Sequence, residues 1–362
     1  MQHDQTDTTA SSQARRFRRD LAIDLGSSNT VLASSHHSYV LREPTLIALR
    51  NRPVSGRNGA PTRVVAVGRE AIEAATSGAR HVELVAPVVR SRPRHLEAAA
   101  WLLEALKSRV GEHWLERVAL PAVGALVVPP GLDEEACAQF RAVMREVNFR
   151  RFMMIEAPLA AVAGCGMDIG APRGRMLCDF GGGTCTLTGF SMSAVVSSET
   201  LPFGGGDLDE ALVRYVRQRY GVCIAPHVAA ELKDGIGSVH PLAEPRSMEI
   251  RGADPRGGAP RKVTLRDNEV RDVLVDACEP LIMGIQKAFE SVPPELAGDI
   301  LEGGVTVVGG GALLLGLTPF LLERTGIAFR PSADPLNASI RGAQRLLWQE
   351  LALRGWRRRM EL

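Results

Sequence analysis

The stretch MLCDFGGGTCTLTGF, Met176 to Phe190, combines a short apolar run, an aspartate, three glycines and a hydroxyl residue. Glycine has no Cβ, so this tripeptide can turn sharply and bring its N–H groups close to a ligand. Backbone N–H groups arranged in this way form an anion-binding concavity, for which phosphate is a natural ligand. A carboxylate beside a phosphate is repulsive unless a metal ion lies between them. The stretch therefore predicts a site for a nucleotide with a divalent cation, and an ordinary hairpin turn fits it equally well.

A second copy of this pattern lies near the start of the chain, in LAIDLGSSNTVLAS, Leu21 to Ser34. In both copies an apolar strand ends in aspartate, and one apolar residue, glycine and small hydroxyl residues follow before a second strand. Two copies in the two halves of the chain predict an internal repeat. We expect two similar domains, each offering a phosphate-binding hairpin to a shared cleft.

Length and composition limit the possible classes of protein. A chain of 362 residues is long enough for two domains or one large α/β unit. The net charge of +2 argues against a general nucleic-acid binder. The six cysteines contain no C-x-x-C pair and no histidine lies at metal-ligand spacing, which argues against structural zinc. We find no apolar stretch long enough to span a bilayer and expect a cytoplasmic protein.

Segments with strand and helix patterns alternate along the chain, which predicts the α/β class. Residues 1–19 are polar and then rich in arginine, and we expect a disordered basic tail there. That tail is either a contact for anionic lipid or a solvated segment. Four glycine-bearing loops each lie at a strand end or open a helix: Gly26 with Ser27 to Asn29, Gly181 to Gly183, Gly204 to Gly206, and Gly309 to Gly311.

With four such loops in this order, the sequence resembles the actin and heat-shock chaperone ATPase superfamily, and most closely the bacterial rod-shape actins of the MreB and Mbl family. The resemblance runs from about Leu21 to about Leu347. The matching stretches are AIDLGSSNT, EPTLIAL, IEAPLAAVAG, DFGGGT, FGGGDLDEALVRYVR, PPELAGDI and GGGALLLGL. It implies an actin-like ATPase fold with two RNase H-like domains flanking a nucleotide cleft. Domain I is expected at 20–165, domain II at 166–325, and a C-terminal return to domain I at 326–362.

The same resemblance implies a binding role for particular residues. Asp24 and Asp179 would hold Mg²⁺, and Thr184 would also position the attacking water. The implied phosphate-binding residues are Gly26, Ser27, Ser28, Asn29, Gly181, Gly182, Gly183 and Thr184. The implied residues on the adenosine side are Glu231, Lys233, Gly310, Gly311, Ala312, Leu313 and Leu314. Gly205 and Gly206 are either a ribose or phosphate contact or simply a helix-initiating turn.

Some departures from the family pattern bear on catalysis. Related ATPases carry a water-activating carboxylate next to the proline of the IEAP stretch, where this chain has Ala157. Glu156 is then the only local candidate for the catalytic carboxylate, and loss of a general base costs about 10²–10⁴-fold in rate. The resemblance therefore predicts binding of ATP, with GTP as an alternative, together with Mg²⁺, and it leaves open whether this protein is a weak ATPase.

The resemblance also implies partners and a location. We expect self-assembly into a filament, with copolymerisation with a paralogous bacterial actin left open. The filament would organise cell-wall synthesis and cell shape at the inner face of the membrane, beside cell-wall synthesis membrane proteins. Trp114 and Leu115 are either a membrane contact or a core tryptophan and its neighbour. The alternatives are a hydrolysis-deficient nucleotide-binding adaptor of the same fold and a small-molecule kinase of the same superfamily.

Overall fold

The computed structural model describes residues 20–34, 40–50, 63–77, 82–110, 122–255, 257 and 260–360, with the backbone alone at 122, 150 and 351–360. The chain divides into two compact units. Unit 1 comprises Met1–Gly164 and Ser339–Leu362, and unit 2 comprises Cys165–Ala338.

The main sheet of unit 1 has five strands in the order β3-β2-β1-β9-β10. A smaller sheet pairs β4 with β5 and β6, and β7 pairs with β8. The strands are β1 Asp20–Leu25, β2 Asn29–Ser34, β3 Val40–Pro44, β4 Ile47–Arg50, β5 Arg63–Val67, β6 Val82–Val85, β7 Val88–Val89, β8 Arg92–Pro93, β9 Ala122–Val128 and β10 Phe149–Glu156. The helices are α1 Arg69–Thr76, α2 Leu96–Val110, α3 Glu134–Glu146 and α4 Ala157–Cys165.

The main sheet of unit 2 has the order β13-β12-β11-β16-β17, and β14 pairs with β15 in a separate hairpin. The strands are β11 Arg175–Phe180, β12 Cys185–Ser191, β13 Ala194–Leu201, β14 Ser247–Gly252, β15 Arg261–Arg266, β16 Val305–Val308 and β17 Phe329–Pro331. The helices are α5 Gly205–Tyr220, α6 Pro226–Ile236, α7 Asp267–Ala277, α8 Glu279–Glu290, α9 Pro294–Gly303 and α10 Leu317–Thr325, and Gly310–Leu313 forms a 3₁₀ turn. The closing helix, α11, is Ala338–Met360.

The two main sheets repeat one topology. In unit 1, β1, β2 and β3 form an antiparallel meander, and β9 and β10 join β1 in parallel. In unit 2, β11, β12 and β13 form the same meander, and β16 and β17 join β11 in parallel. Asp24 and Asp179 occupy the same place, one residue before the end of the first strand of each meander. The predicted α/β class and internal repeat are confirmed.

The central strand β1 is buried on both faces. Leu21, Ile23 and Leu25 pack with the helix residues Leu102 and Leu103 of α2. On the opposite face, Ala22 packs with a cluster contributed partly by α4 and α11, which includes Ala160, Ile340, Ala343 and Leu347. A strand whose sheet is covered on both faces needs apolar residues at successive positions, which explains the apolar run Leu21–Ile23 in β1.

Glycine at position 342 permits the close approach of α11 to α4. A Cβ at Gly342 would lie only 1.6 Å from the carbonyl oxygen of Ala160. A side chain there would force the two helices apart.

The return to unit 1 occurs at Ser339 rather than at the predicted residue 326. The physical reason is the pairing of β17, Phe329–Pro331, in parallel with β16 at the edge of the unit 2 sheet. That pairing keeps the chain in unit 2 until α11 begins.

Candidate functional site

The first hairpin joins β1 to β2 directly after Asp24. Gly26 N–H donates to the carbonyl oxygen of Asn29 at 3.2 Å, which closes a tight turn with Ser27 and Ser28 at its tip. Asp24 lies opposite Val31 of β2 and Val127 of β9. The turn therefore holds Ser27 and Ser28 at a fixed place beside the end of β1, which carries Asp24.

Two other segments support this hairpin. Thr45 donates from its backbone N–H to Ser28 O at 2.9 Å, and its hydroxyl donates to Gly26 O at 2.7 Å. Ser91, in the turn between β7 and β8, donates its N–H to Ser27 Oγ at 2.7 Å. Sequence analysis gave no role to Thr45 or Ser91. The sequence feature that could have indicated Thr45 is its place in EPTLIAL, one of the stretches that match the family.

The second hairpin, between β11 and β12, closes in the same way. Gly181 N–H donates to Thr184 O at 2.9 Å, as Gly26 does to Asn29. Gly182 and Gly183 form the tip. The two aspartate-glycine patterns thus fold into equivalent turns, one in each unit.

The loop Gly204 to Gly206 packs directly on the second hairpin. Gly205 N–H donates to Gly181 O at 3.0 Å and Gly206 N–H donates to Gly182 O at 2.8 Å. Of the two alternatives for Gly205 and Gly206, the structure supports the helix-initiating turn, because α5 begins at Gly205 and both N–H groups donate within unit 2. Nucleotide contact by these glycines stays a prediction.

The two hairpin tips present backbone donors. Within the part of the chain that the structure describes, the N–H groups of Ser27, Ser28, Gly182 and Gly183 donate to no protein acceptor. All four residues retain some solvent exposure. Unpaired N–H groups in a tight turn are the donors that phosphate oxygens accept from.

The carboxyl group of Asp179 fits a cation. Loss of hydration on burial raises the pKa of Asp179 to about 6, because water can no longer stabilise the charged form fully. A bound cation would lower that pKa again. Among the described residues no cluster of three or more His, Cys, Asp or Glu forms a metal site, so Mg²⁺ here would depend on carboxylates together with nucleotide phosphates.

The loop after β16 approaches Asp179 closely. Gly309 has φ +84°, and a Cβ there would lie 2.9 Å from Asp179 Oδ1 and 2.4 Å from Phe180 O. A Cβ at Gly311 would lie 2.1 Å from the Phe180 ring. Gly310, Ala312, Leu313 and Leu314 continue this loop, with Ala312 buried and Leu313 exposed. The glycines therefore let the predicted adenine loop lie against β11.

Lys233 is held by an ion pair at the start of α5. Its Nζ donates to Asp209 Oδ1 at 2.6 Å and to Gly205 O at 3.2 Å. Both side chains are largely buried, at 15% and 16% exposure. Burial raises the pKa of Asp209, and Lys233 opposes that rise. Sequence analysis predicted Lys233 on the adenosine side but missed Asp209. Glu231, also on α6, is exposed.

Glu156 is the last residue of β10 and is exposed. Gly131 N–H donates to Glu156 Oε1 at 3.5 Å. Ala157 then opens α4. Thr184 lies at the exit of the second hairpin, before β12. Trp114, Leu115 and the basic tail 1–19 lie outside the described residues.

The family model for "MreB/Mbl protein" matches residues 18–354. The chain belongs to the MreB/Mbl family. This MreB/Mbl chain is 34% identical to the cell shape-determining protein MreB of Escherichia coli K12 over 332 residues, which are 91% of this chain and 94% of the relative. It is 27% identical to the cell shape-determining protein Mbl of Bacillus subtilis over 326 residues, which are 89% of this chain and 93% of the relative.

Solved structures agree with this membership. The crystal structure of Spiroplasma citri MreB5 bound to ADP matches with a TM-score of 0.80 and 29% identity, over 90% of this chain and 95% of that one. The MamK double helical filament matches with a TM-score of 0.70 and 23% identity, over 91% and 98%, which shows a common fold. This MreB/Mbl chain therefore has the actin-like ATPase fold and is a homologue of cell shape-determining cytoskeletal proteins. No helix in its described residues is long and apolar enough to cross a membrane.

Proposed function

We propose that this MreB/Mbl protein is an ATP-binding bacterial actin homologue that assembles into filaments and organises cell-wall synthesis at the inner face of the membrane. The observation that carries the proposal is the pair of equivalent hairpins. Each has an aspartate one residue before its strand end, and tip N–H groups that donate to no acceptor among the described residues.

Magnesium is part of the proposal because of the carboxylates. Asp24 and Asp179 would hold Mg²⁺, which neutralises the negative charge between carboxylate and phosphate. The raised pKa of Asp179 supports this assignment, since its carboxylate lacks full compensation within the protein. ATP is the proposed nucleotide, and GTP is the alternative that a competition experiment would separate.

Filament formation is supported by membership of a family whose relatives determine cell shape. The test is electron microscopy of the purified full chain with Mg²⁺ and ATP, with a nucleotide-free sample as control. Nucleotide-dependent filaments are expected. Monomers alone across a range of salt and nucleotide conditions would overturn this part of the proposal.

A hydrolysis-deficient adaptor is the second candidate function. Ala157 removes a carboxylate beside Pro158, and Glu156 is exposed and contacts Gly131 N–H. Slow hydrolysis is therefore expected even where nucleotide binds. Phosphate release measured on the same preparation as filament formation separates the two: assembly without release identifies the adaptor, and release that Glu156→Gln abolishes identifies a weak ATPase.

The peripheral membrane location and the cell-wall synthesis partners are the finer parts of the proposal. They are supported by the relatives' role in determining cell shape. Recruitment of the purified protein to anionic vesicles tests the location without knowledge of any protein partner.

A further inference from the structure

Two threonines lie fully buried beneath the first hairpin. Thr30 and Thr45 are each 0% exposed, and their Oγ1 atoms lie 2.9 Å apart. Thr45 Oγ1 also donates to Gly26 O at 2.7 Å. A hydroxyl group carries one hydrogen, and that of Thr45 is used on Gly26, so Thr30 must donate to Thr45. The bonds form one directed chain from Thr30 through Thr45 to Gly26.

Thr45 contacts the hairpin at two carbonyl groups. Its hydroxyl donates to Gly26 O, and its backbone N–H donates to Ser28 O at 2.9 Å. In a planar trans peptide the C=O and the following N–H point in opposite directions. Fixing Gly26 C=O therefore aims Ser27 N–H away from Thr45, and fixing Ser28 C=O does the same for Asn29 N–H. One residue thus orients two of the predicted phosphate donors.

Both threonines are close in the chain to residues of the buried apolar cluster of unit 1, which includes Leu25, Leu32 and Ile47. A buried hydroxyl costs free energy unless it is hydrogen-bonded, and two valines would fill nearly the same volume without that requirement. These two hydroxyl groups therefore contribute directed hydrogen bonds that a pair of valines could not make.

The second hairpin is supported by backbone groups instead of a side-chain hydroxyl. Its carbonyls at Gly181 and Gly182 accept from the backbone of Gly205 and Gly206. In the first hairpin, by contrast, the carbonyl of Gly26 is held by a side-chain hydroxyl, which a substitution can remove.

We propose that Thr45 is a positioning residue for the phosphate chain: it does not touch the nucleotide but presets the first hairpin for phosphate binding through the Thr30–Thr45–Gly26 hydrogen bonds. This inference rests on the proposed function. It predicts that the Thr45 hydroxyl affects affinity for the triphosphate and leaves affinity for a nucleoside monophosphate unchanged.

The experiment compares Thr45→Val, which removes the hydroxyl at nearly constant volume, with Thr45→Ser, which keeps it. Calorimetry with the full chain and Mg²⁺ is expected to show about tenfold weaker ATP binding for Thr45→Val, because the hairpin must then be ordered on binding. Near-normal binding is expected for Thr45→Ser. AMP affinity should change less than twofold. Hydrogen exchange of the amides of Gly26 and Thr45, which donate to Asn29 O and Ser28 O, should accelerate in Thr45→Val without nucleotide.

A double variant separates positioning from stability. Thr30→Val with Thr45→Val removes the orphaned Thr30 hydroxyl and is expected to recover stability but not ATP affinity. Recovery of ATP affinity together with stability would overturn the inference, as would equal ATP affinity for Thr45→Val and the unmodified protein. If the unmodified protein binds no ATP, the proposed function fails instead. Unchanged hydrogen exchange at the amides of Gly26 and Thr45 in Thr45→Val then overturns the positioning role independently.

Discussion

Gly204 packs against the second hairpin so closely that a Cβ at position 204 would lie 2.6 Å from the carbonyl carbon of Gly182. The contact joins backbone to backbone, so no side-chain rotation can relieve it. The glycine-rich loop before α5 therefore fixes the position of the hairpin that follows Asp179.

Gly204→Ala is expected to displace the second hairpin and to weaken nucleotide binding by more than tenfold. Overpacking of this kind costs about 1–3 kcal/mol of stability. Titration with ATP and urea unfolding measure the two effects. The matched control is Gly298→Ala in α9, where a Cβ meets nothing within 4 Å; it should leave ATP affinity unchanged and stabilise the protein slightly, since alanine favours helix. Equal ATP affinity for both variants would contradict the claim that this loop fixes the position of the second hairpin.

The raised pKa of Asp179 predicts that the stability of the fold depends on pH. Its pKa is raised to about 6 in the folded protein, above the unfolded value of about 3.9. The folded state therefore binds the proton more tightly, so ionisation destabilises the fold as pH rises from about 4 to 6, and the effect is constant above that. Asp179→Asn should raise the free energy of unfolding by about 1–3 kcal/mol at pH 8 and hardly at pH 4. Chemical denaturation of both proteins without nucleotide, from pH 4 to pH 8, measures this difference. A difference in the free energy of unfolding that does not change with pH would contradict the prediction.

The Lys233–Asp209 pair predicts energetic coupling. Lys233→Met leaves the largely buried Asp209 without its cation, and Asp209→Asn leaves Lys233 without its anion. Each change should destabilise the protein, and the double variant should cost less than the sum, with a coupling of about 1–3 kcal/mol. Urea unfolding of the four proteins measures it. The exposed pair Lys262–Glu249 is the control, where a coupling energy below about 1 kcal/mol is expected. Additive effects of the changes at Lys233 and Asp209 would show that this ion pair does not stabilise the fold.

The aspartate–glycine hairpins could be predicted from sequence because the pattern that makes them is local. The role of Thr45 could not, because its hydroxyl bonds Gly26 and Thr30, which lie well before it in the chain. Asp209 was missed for the same reason, since its partner Lys233 lies on the next helix. For Gly205 and Gly206 the sequence left a ligand contact and a helix-initiating turn equally open. Their N–H groups donate to Gly181 O and Gly182 O, a tertiary contact that a local pattern does not reveal.

A membrane contact is predicted for Trp114 and Leu115, which lie outside the described residues. Co-sedimentation with anionic vesicles should decrease when both are changed to alanine, because an interfacial tryptophan contributes apolar contact at the bilayer surface. Vesicles of neutral lipid are the control. Binding that neither the double alanine variant nor deletion of residues 1–19 alters would remove this contact from the account.

We expect binding of a magnesium nucleotide to depend on Asp24 and on Asp179. Calorimetric titration of the folded chain with ATP and Mg²⁺ tests it most directly, with Asp24→Asn and Asp179→Asn as variants and Asp272→Asn, an exposed position on α7, as control. We expect one ATP per chain, a loss of at least tenfold in affinity for each hairpin variant, and no change for the control. Absence of binding by the folded protein, or equal affinity in all four proteins, would contradict it.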